Sequence, residues 1–335
     1  MNRRTFIILL TTIFVMSLLL LLNRDNFERV ETSVVLPGLD TALNDITKLT
    51  IKTAGNRTVT TLMRGTERWT VVERGHYPAD VGKIRQNLIA LANAMVIEEK
   101  TADPALYARL GVEDIASADA TGIELIIDSL NSSYRIIVGM TGIRGSQAYA
   151  RLPDTDTSLL IAANLELDSE PADWLDHTLI DIPASDIVRV TTTHPDGETV
   201  AIEKNAPDAG NFELVNQPVD SELTTPGAAN SIGSLLTGLT FDDVLTRENA
   251  GLQDQQPVVT RFVTLAGLVI IANIHPGTEQ NFVSFEFTTV AEDEASPASA
   301  SAKADELNAR YGNWLFILPS YKLEQLTRRQ ADLLK

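Results

Sequence analysis

The chain has no cysteine among its 335 residues. Disulfides, thiol nucleophiles and cysteine-ligated metals are therefore excluded. Histidine is also scarce. His76, His177, His194 and His275 are the whole set, and no two lie within five residues of each other. A His-x-x-x-His pair, which would place two imidazoles on one helix face, is absent. Each histidine reads as an exposed turn residue; His194 and His275 each precede a proline ("HPDG", "HPGT"), and an approach of these two in space stays open at this level. Basic residues are outnumbered, 27 Lys and Arg against 45 Asp and Glu, for a net charge of −18. That surface repels nucleic acid and anionic headgroups, so no nucleic-acid partner is expected. The same excess of acid is also what plain solubility would ask for.

Two catalytic signatures are missing as well. There is no Gly-x-Ser-x-Gly elbow, which argues against an α/β-hydrolase, and no P-loop, so any ATP use would belong to a partner. Gly139, Gly142 and Gly145 ("GMTGIRG") recur at three-residue steps. A phosphate-cradling loop needs a helix behind it, and the strand-like "QAYARL" follows instead, so this is a wide hairpin turn. Glu98-Glu99 and Asp242-Asp243 are adjacent acids. Glycoside hydrolysis needs two carboxylates facing each other across a bond, and neighbours on one element point apart, so these read as solvated faces. No catalytic, cofactor-binding or metal-binding residue is expected.

What the chain does have begins at its N-terminus. Phe6 to Leu22 ("FIILLTTIFVMSLLLLL") is seventeen residues without a charge, after Arg3 and Arg4 and before Arg24. A span of about 20 such residues crosses the ~30 Å apolar core of a bilayer. No small-x-small cleavage site follows, so residues 1–22 are read as a cytoplasmic tip and an uncleaved signal anchor rather than a removed signal peptide. The arginines stay inside and the C-terminal bulk is exported. This gives a single-pass protein of the inner membrane with its bulk in the periplasm. The other long apolar stretch, Phe262 to Ile274, has thirteen residues and reads as buried strand. Residues 23–45 read as a stalk.

Beyond the stalk the chain repeats its grammar. "ITKLTIKT" at Ile46–Thr53 alternates apolar and polar residues, and "AGN" turns it into a hairpin with Thr58 to Met63. A strand around Trp69 meets the turn Tyr77-Pro78-Ala79-Asp80. A helix follows, with Val81, Ile84, Leu88, Leu91 and Met95 on one face and Asp80 as its N-cap. "DPALYARLG" is a short second helix ended by glycine. About 140 residues later, Ile187 opens strand, Pro/Gly turn and strand again. Phe212 stands where Trp69 stood, and Thr225-Pro226 opens a helix whose Ile232, Leu235, Leu236 and Leu239 fall 144 residues after Leu88, Leu91, Ala92 and Met95. Each half ends in a β-rich tail: Ile123–Asp128, Tyr134–Val138, Gln147–Leu152 and Ser158–Ala162 in the first, Val258–Leu265, Leu268–Ile274, Phe282–Thr289 and Asn313–Leu318 in the second. "AEDEASPASASAKAD", residues 291–305, has nothing to bury and reads as a disordered loop. A last helix, Leu323 to Leu334, caps the second half or docks on a partner. The fold class is thus α+β: an N-terminal transmembrane helix, then two tandem, divergent β-meander-plus-helix repeats at 46–183 and 187–335. Stacking of the two copies is by itself a sufficient reason for the duplication. Trp69 reads as core; Trp174 and Trp314 read as core or as packing between the copies, although aromatics can also stack on sugars or anchor an interface.

The succession of "ITKLTIKT", "RWTVVERGHYPADVGKIRQNLIALANA", "KTADPALYARLGVED", "YRIIVGMTGIRGSQAYAR" and "SLLIAANLELDSEPADWLDHTLIDIPASDIVRVTT" behind a membrane anchor resembles the bacterial domain-of-unknown-function 4340 family. The second copy departs from the pattern: Phe212 replaces the tryptophan, and "DSELTTPG" replaces the "YPAD" turn. The resemblance implies an envelope accessory protein that works beside ABC-type transport systems of the gliding-motility kind, with transporter permease or auxiliary membrane subunits as partners. Its motifs are structural, so they speak for a fold rather than a reaction. The expectation is a non-enzymatic accessory or scaffold protein held to the membrane through residues 6–22. The alternative is a periplasmic binding module for an exported polysaccharide or lipid.

Overall fold

The computed structural model describes residues 33–206, 209–225, 227–249, 252–290 and 298–335. The apolar run at 6–22 and the first part of the stalk lie outside the described residues. Among those described, no helix is long and apolar enough to cross a membrane. The architecture is mixed α and β, dominated by antiparallel sheets with few helices.

The chain forms two compact units. The first takes the described residues up to Thr61 together with Gly82–Ser169; the second takes Leu62–Val81 together with Glu170–Lys335. The first half of the chain contributes β1 (Ile46–Thr53), β2 (Arg57–Arg64), β3 (Trp69–Val71), β4 (Tyr77–Pro78), β5 (Met95–Glu99), β6 (Ile123–Ser129), β7 (Ser133–Thr141), β8 (Gln147–Arg151) and β9 (Ser158–Ala162). They form one sheet of order β4-β3-β2-β1-β6-β7-β8-β9-β5. The boundary between the units passes through β2, so β3 and β4 are counted with the second unit.

The second half contributes β10 (Thr178–Ile180), β11 (Ile187–Thr193), β12 (Thr199–Glu203), β13 (Glu213–Leu214), β14 (Leu239–Thr240), β15 (Asp243–Thr246), β16 (Val258–Thr264), β17 (Leu268–His275), β18 (Phe282–Thr289) and β19 (Trp314–Ile317). Strands β10 and β14 pair with each other, and the rest form a sheet of order β13-β12-β11-β16-β17-β18-β19-β15. Without β4, the first sheet's order becomes the second's when ten is added to every strand number.

The β-rich tails follow the alternation and turn signals in the sequence closely. The glycines of "GMTGIRG" make the hairpin between β7 and β8, where the Gly142 amide donates to the Gln147 carbonyl at 2.8 Å. Strand β17 buries Leu268, Ile270, Ala272 and Ile274 on one face, while on the other Val269 is buried and Ile271, Asn273 and His275 are half-buried.

Six helices carry labels: α1 (Leu39–Ala42), α2 (Val81–Ala92), α3 (Ala228–Gly233), α4 (Ala298–Tyr311), α5 (Ser320–Leu326) and α6 (Gln330–Leu333). Helix α2 buries Ile84, Asn87, Leu88, Leu91 and Ala92. Met95, read as its last apolar position, instead opens β5, and Val81 is exposed. The buried Asn87 is the residue an apolar stripe misses. Its side chain accepts from the Glu166 amide at 2.8 Å and donates to the Glu166 carbonyl at 3.0 Å, so a polar group on the core face is satisfied. In α4, Asn308 clasps the amide and carbonyl of Phe287 in the same way. In α3, Asn230 accepts from the Phe212 amide at 2.8 Å.

Three readings are corrected. The segment 291–305 is not loop throughout: from Ala298 it is helix, with Ala300, Ala304, Leu307 and Tyr311 buried, while 291–297 lie outside the described residues. Alanine's high helix propensity and small side chain let this stretch bury a face that its composition seemed to deny it. The described end of the stalk is not free either. Val35, Leu36 and Leu39 are buried, Val34 bridges Met95, and the Val96 amide donates to the Ser33 carbonyl at 3.0 Å, so 33–35 line the edge of β5. The last helix is broken into α5 and α6, with Leu326 and Leu333 both fully buried.

Candidate functional site

The second unit carries a cleft of about 620 Å³ lined by Arg68, His76, Tyr77, Pro78, Glu306, Ala309, Arg310 and Trp314. Its near wall comes from 62–81. After β3 the chain makes a short 3-10 turn, Val72–Arg74, and reverses through two consecutive left-handed residues, Gly75 (φ 62°) and His76 (φ 65°). The reversal is locked by backbone bonds from the His76 amide to the Val71 carbonyl (3.0 Å) and from the Ala79 amide to the Trp69 carbonyl (2.9 Å). Glycine takes the left-handed region freely; histidine pays roughly 1–2 kcal/mol for it. Glycine is needed at 75 for space as well: a Cβ there would come within 2.8 Å of Thr246 Cγ2 and 3.3 Å of Trp314. The strained backbone fixes where His76 points, and Thr70 Oγ1 lies 3.2 Å from its Nδ1.

Two contacts fasten this wall. Arg74 reaches Asp243 on β15 with a fork, Nε to Oδ1 at 2.6 Å and Nη2 to Oδ2 at 2.9 Å, both side chains being only 23% exposed. Tyr77, 2% exposed, sits edge-on to three rings: Phe241 at 5.4 Å, Trp314 at 5.1 Å and Phe316 at 6.1 Å. Edge-to-face geometry puts the positive rim of one ring against the negative face of the next. Burial first, and then the neighbouring Tyr311, push the Tyr77 hydroxyl well above the ordinary tyrosine range, so the phenol stays neutral.

The far wall comes from α4 and β19. Arg310 stacks over the Tyr311 ring at 5.0 Å and stands 4.0 Å from Asp176. Arg68 stands 3.9 Å from Glu67. Both pairs are long and exposed, the kind that contributes little. Glu306 is held by Lys303 through bonds of 3.0 and 2.9 Å. The cleft therefore joins an aromatic wall to two loosely paired guanidinium groups in a chain that is otherwise strongly acidic.

The residues weighed in the sequence fall in different places. Trp174 is fully buried, whereas Trp69 and Trp314 are only half-buried and Trp314 lines the cleft. His76 is an exposed turn residue, as read. The other three are not. His194 is 5% exposed with its Nε2 3.3 Å from the Arg328 carbonyl. His177 is half-buried and donates from Nδ1 to the Phe241 carbonyl at 2.7 Å. His275 ends β17, with Nε2 2.9 Å from Ser284 Oγ, and burial holds its pKa below the usual value. A proline after a histidine signals a turn but not which way the ring faces, and tertiary packing turned these rings inward. His194 and His275 each have their own partner. Glu98 and Glu99 are exposed on β5, Glu98 bonding Lys100 at 2.6 Å. Asp242 is exposed, while Asp243 is the partner of Arg74. Among the described residues no group of three His, Asp or Glu could hold a metal ion. Nothing in the sequence marked Arg68, Arg310 or Tyr77, since they meet only through the tertiary fold.

A family model described as Domain of unknown function (DUF4340) matches residues 69–256, more than half of the chain. No curated protein and no solved structure matches it.

Proposed function

The chain belongs to the DUF4340 family, and from that premise we propose that it is a non-enzymatic accessory or scaffold protein of the inner membrane. In this reading residues 6–22 hold it in the bilayer. Two tandem divergent repeats stand in the periplasm beside an ABC-type transport complex and contact its permease or auxiliary membrane subunits. The charge-free run at 6–22 and its flanking arginines support the anchor. The ten-step correspondence of strand orders supports the repeats.

The observation that carries the non-enzymatic part is how the described charged groups are used. Arg74 and Asp243 fasten β15 to the turn before β4. Arg135 secures the buried Glu124 at 2.6 Å. Arg329 bonds Asp196 and Glu198, and the Gln330 amide donates to Glu198 at 2.9 Å. His177 and His194 bond backbone carbonyls. Each is spent on holding the chain together, as in a body built to be a stable surface.

The test is a mild-detergent pull-down of the full chain from its own membranes, beside a version whose residues 1–22 are replaced by a cleavable signal. Transporter subunits should copurify with the full chain. Their retention by the soluble version puts the contact on the repeats, and their loss puts it on the anchor. If neither version brings down a membrane protein, the accessory reading is wrong.

A further inference from the structure

The cleft between β4, α4 and β19 has a chemistry that the scaffold reading does not use. Its volume, about 620 Å³, lies within the roughly 300–1,000 Å³ of ordinary ligand sites. Trp314, Tyr77 and Pro78 give it an apolar wall, and an indole is a good surface for the C–H face of a sugar ring. Arg68 and Arg310 are the cations. Their acidic neighbours, Glu67 at 3.9 Å and Asp176 at 4.0 Å, have exposed side chains, so each guanidinium can exchange that pairing for a ligand carboxylate at little cost. His76 is tied at Nδ1 to Thr70, which leaves Nε2 as the nitrogen a ligand hydroxyl would meet.

We propose that this cleft binds an acidic saccharide, a short stretch of sugar chain bearing carboxylates. The sugar would lie against Trp314, its carboxylate would be shared between Arg68 and Arg310, and hydroxyls would meet His76 and Glu306. The chain's net charge of −18 repels a polyanion at long range, so attraction arises only locally, at the cleft that these two arginines line, and is weakened by salt. The apolar lining is a wall and not a channel, which disfavours an acyl chain. Binding here does not depend on anchoring or on a transporter, so the pull-down can fail while this site holds, and the reverse.

The experiment is isothermal titration of the full chain in neutral detergent with trigalacturonate, and with galactotriose as the uncharged trisaccharide. Saturable binding of trigalacturonate is expected, with galactotriose weaker by about tenfold or more, as for loss of charge-assisted contacts. The double variant Arg68→Gln/Arg310→Gln should lose trigalacturonate binding by at least about tenfold while melting at the same temperature, because both side chains are on the surface. Absence of saturation, equal affinity for the neutral sugar, or an unchanged affinity of the double variant would overturn the proposal. Inorganic phosphate that binds as tightly and displaces trigalacturonate would also overturn it, making the site one for phosphate anions.

Discussion

The two large sheets share a strand order but not a core. The first unit buries Ile46, Leu49, Ile51, Leu125, Ile127, Ile136 and Ile161, and Tyr107 is its only buried aromatic among the described residues. The second buries Tyr77, Trp174, Phe212, Phe241, Phe262, Phe285, Phe287, Tyr311 and Phe316. The helices differ in parallel. Between β4 and β5 the first half places the twelve-residue α2; between β13 and β15 the second has only the six-residue α3. It inserts the fourteen-residue α4 between β18 and β19, where the first half has only a turn between β8 and β9. Strand order is set by turns and by alternation, which survive exchange of one apolar residue for another. Core composition answers to whatever covers the sheet. In the second unit the rings of β18 and β19 pack against one another and against Tyr311 of the long α4, and Tyr77, from the turn at 62–81, packs with them.

The hardest way to break this difference is to remove a ring. Phe316 is fully buried against Tyr77, Phe241, Phe285 and Tyr311. Phe316→Ala should cost about 3–5 kcal/mol in a denaturant titration, at or above the roughly 2–5 kcal/mol for Leu49→Ala in the aliphatic core. A smaller loss for Phe316→Ala than for Leu49→Ala would mean that the ring cluster does not organise its unit.

Next comes a pair of glycines. Gly55 (φ 71°) and Gly75 (φ 62°) are both left-handed, but a Cβ at 55 meets nothing within 4 Å and one at 75 meets Thr246. Gly55→Ala should cost about 1 kcal/mol from backbone conformation alone. Gly75→Ala should cost about 2–4 kcal/mol, because crowding adds to it. Equal losses would show that the turn yields to the added methyl.

Smaller still is the loss of an ion pair. Arg74→Met removes the ion partner of the half-buried Asp243, which keeps the Val244 amide, and should cost about 1–3 kcal/mol. Lys303→Met, which breaks an exposed i,i+3 pair, should change stability by less than about 0.5 kcal/mol.

The smallest expected effect is acid sensitivity of the C-terminal segment. The Glu198 amide and Arg329 hold the Asp196 carboxyl low, and the Gln330 amide and Arg329 do the same for Glu198. With folded values depressed, their contribution is present above the ordinary 3.8 and 4.5 and is lost as pH falls through the lower folded values. Hydrogen exchange at the Gln330 amide, corrected for intrinsic rate, should speed up on acidification below about pH 4. In Glu198→Gln that dependence should flatten; an unchanged profile would show that the carboxylates do not hold α6.

Legibility in the sequence followed the range of the interactions. The hairpins β1–β2, β7–β8, β11–β12 and β16–β17 were readable because alternation and a nearby turn specify them locally. Helix α4 was not, because a run of Ala and Ser declares no face until β18 is there to cover. The inward rings of His177 and His194 were hidden for a similar reason: their partners, the Phe241 and Arg328 carbonyls, are 64 and 134 residues away. The cleft was the least legible part, since Arg68, His76, Arg310 and Trp314 come from stretches more than 230 residues apart and share no spacing.

By itself, then, the sequence determined the strands, their turns and the family, all of which rest on periods of two and on motifs a few residues long. Only the tertiary structure decided that 62–81 packs with the second unit, that Tyr77 joins a ring cluster around Phe316, and that two arginines line one cleft with a tryptophan. Those outcomes depend on which surfaces are left uncovered once the sheets have formed, and that is a property of the packed chain rather than of any short stretch of it.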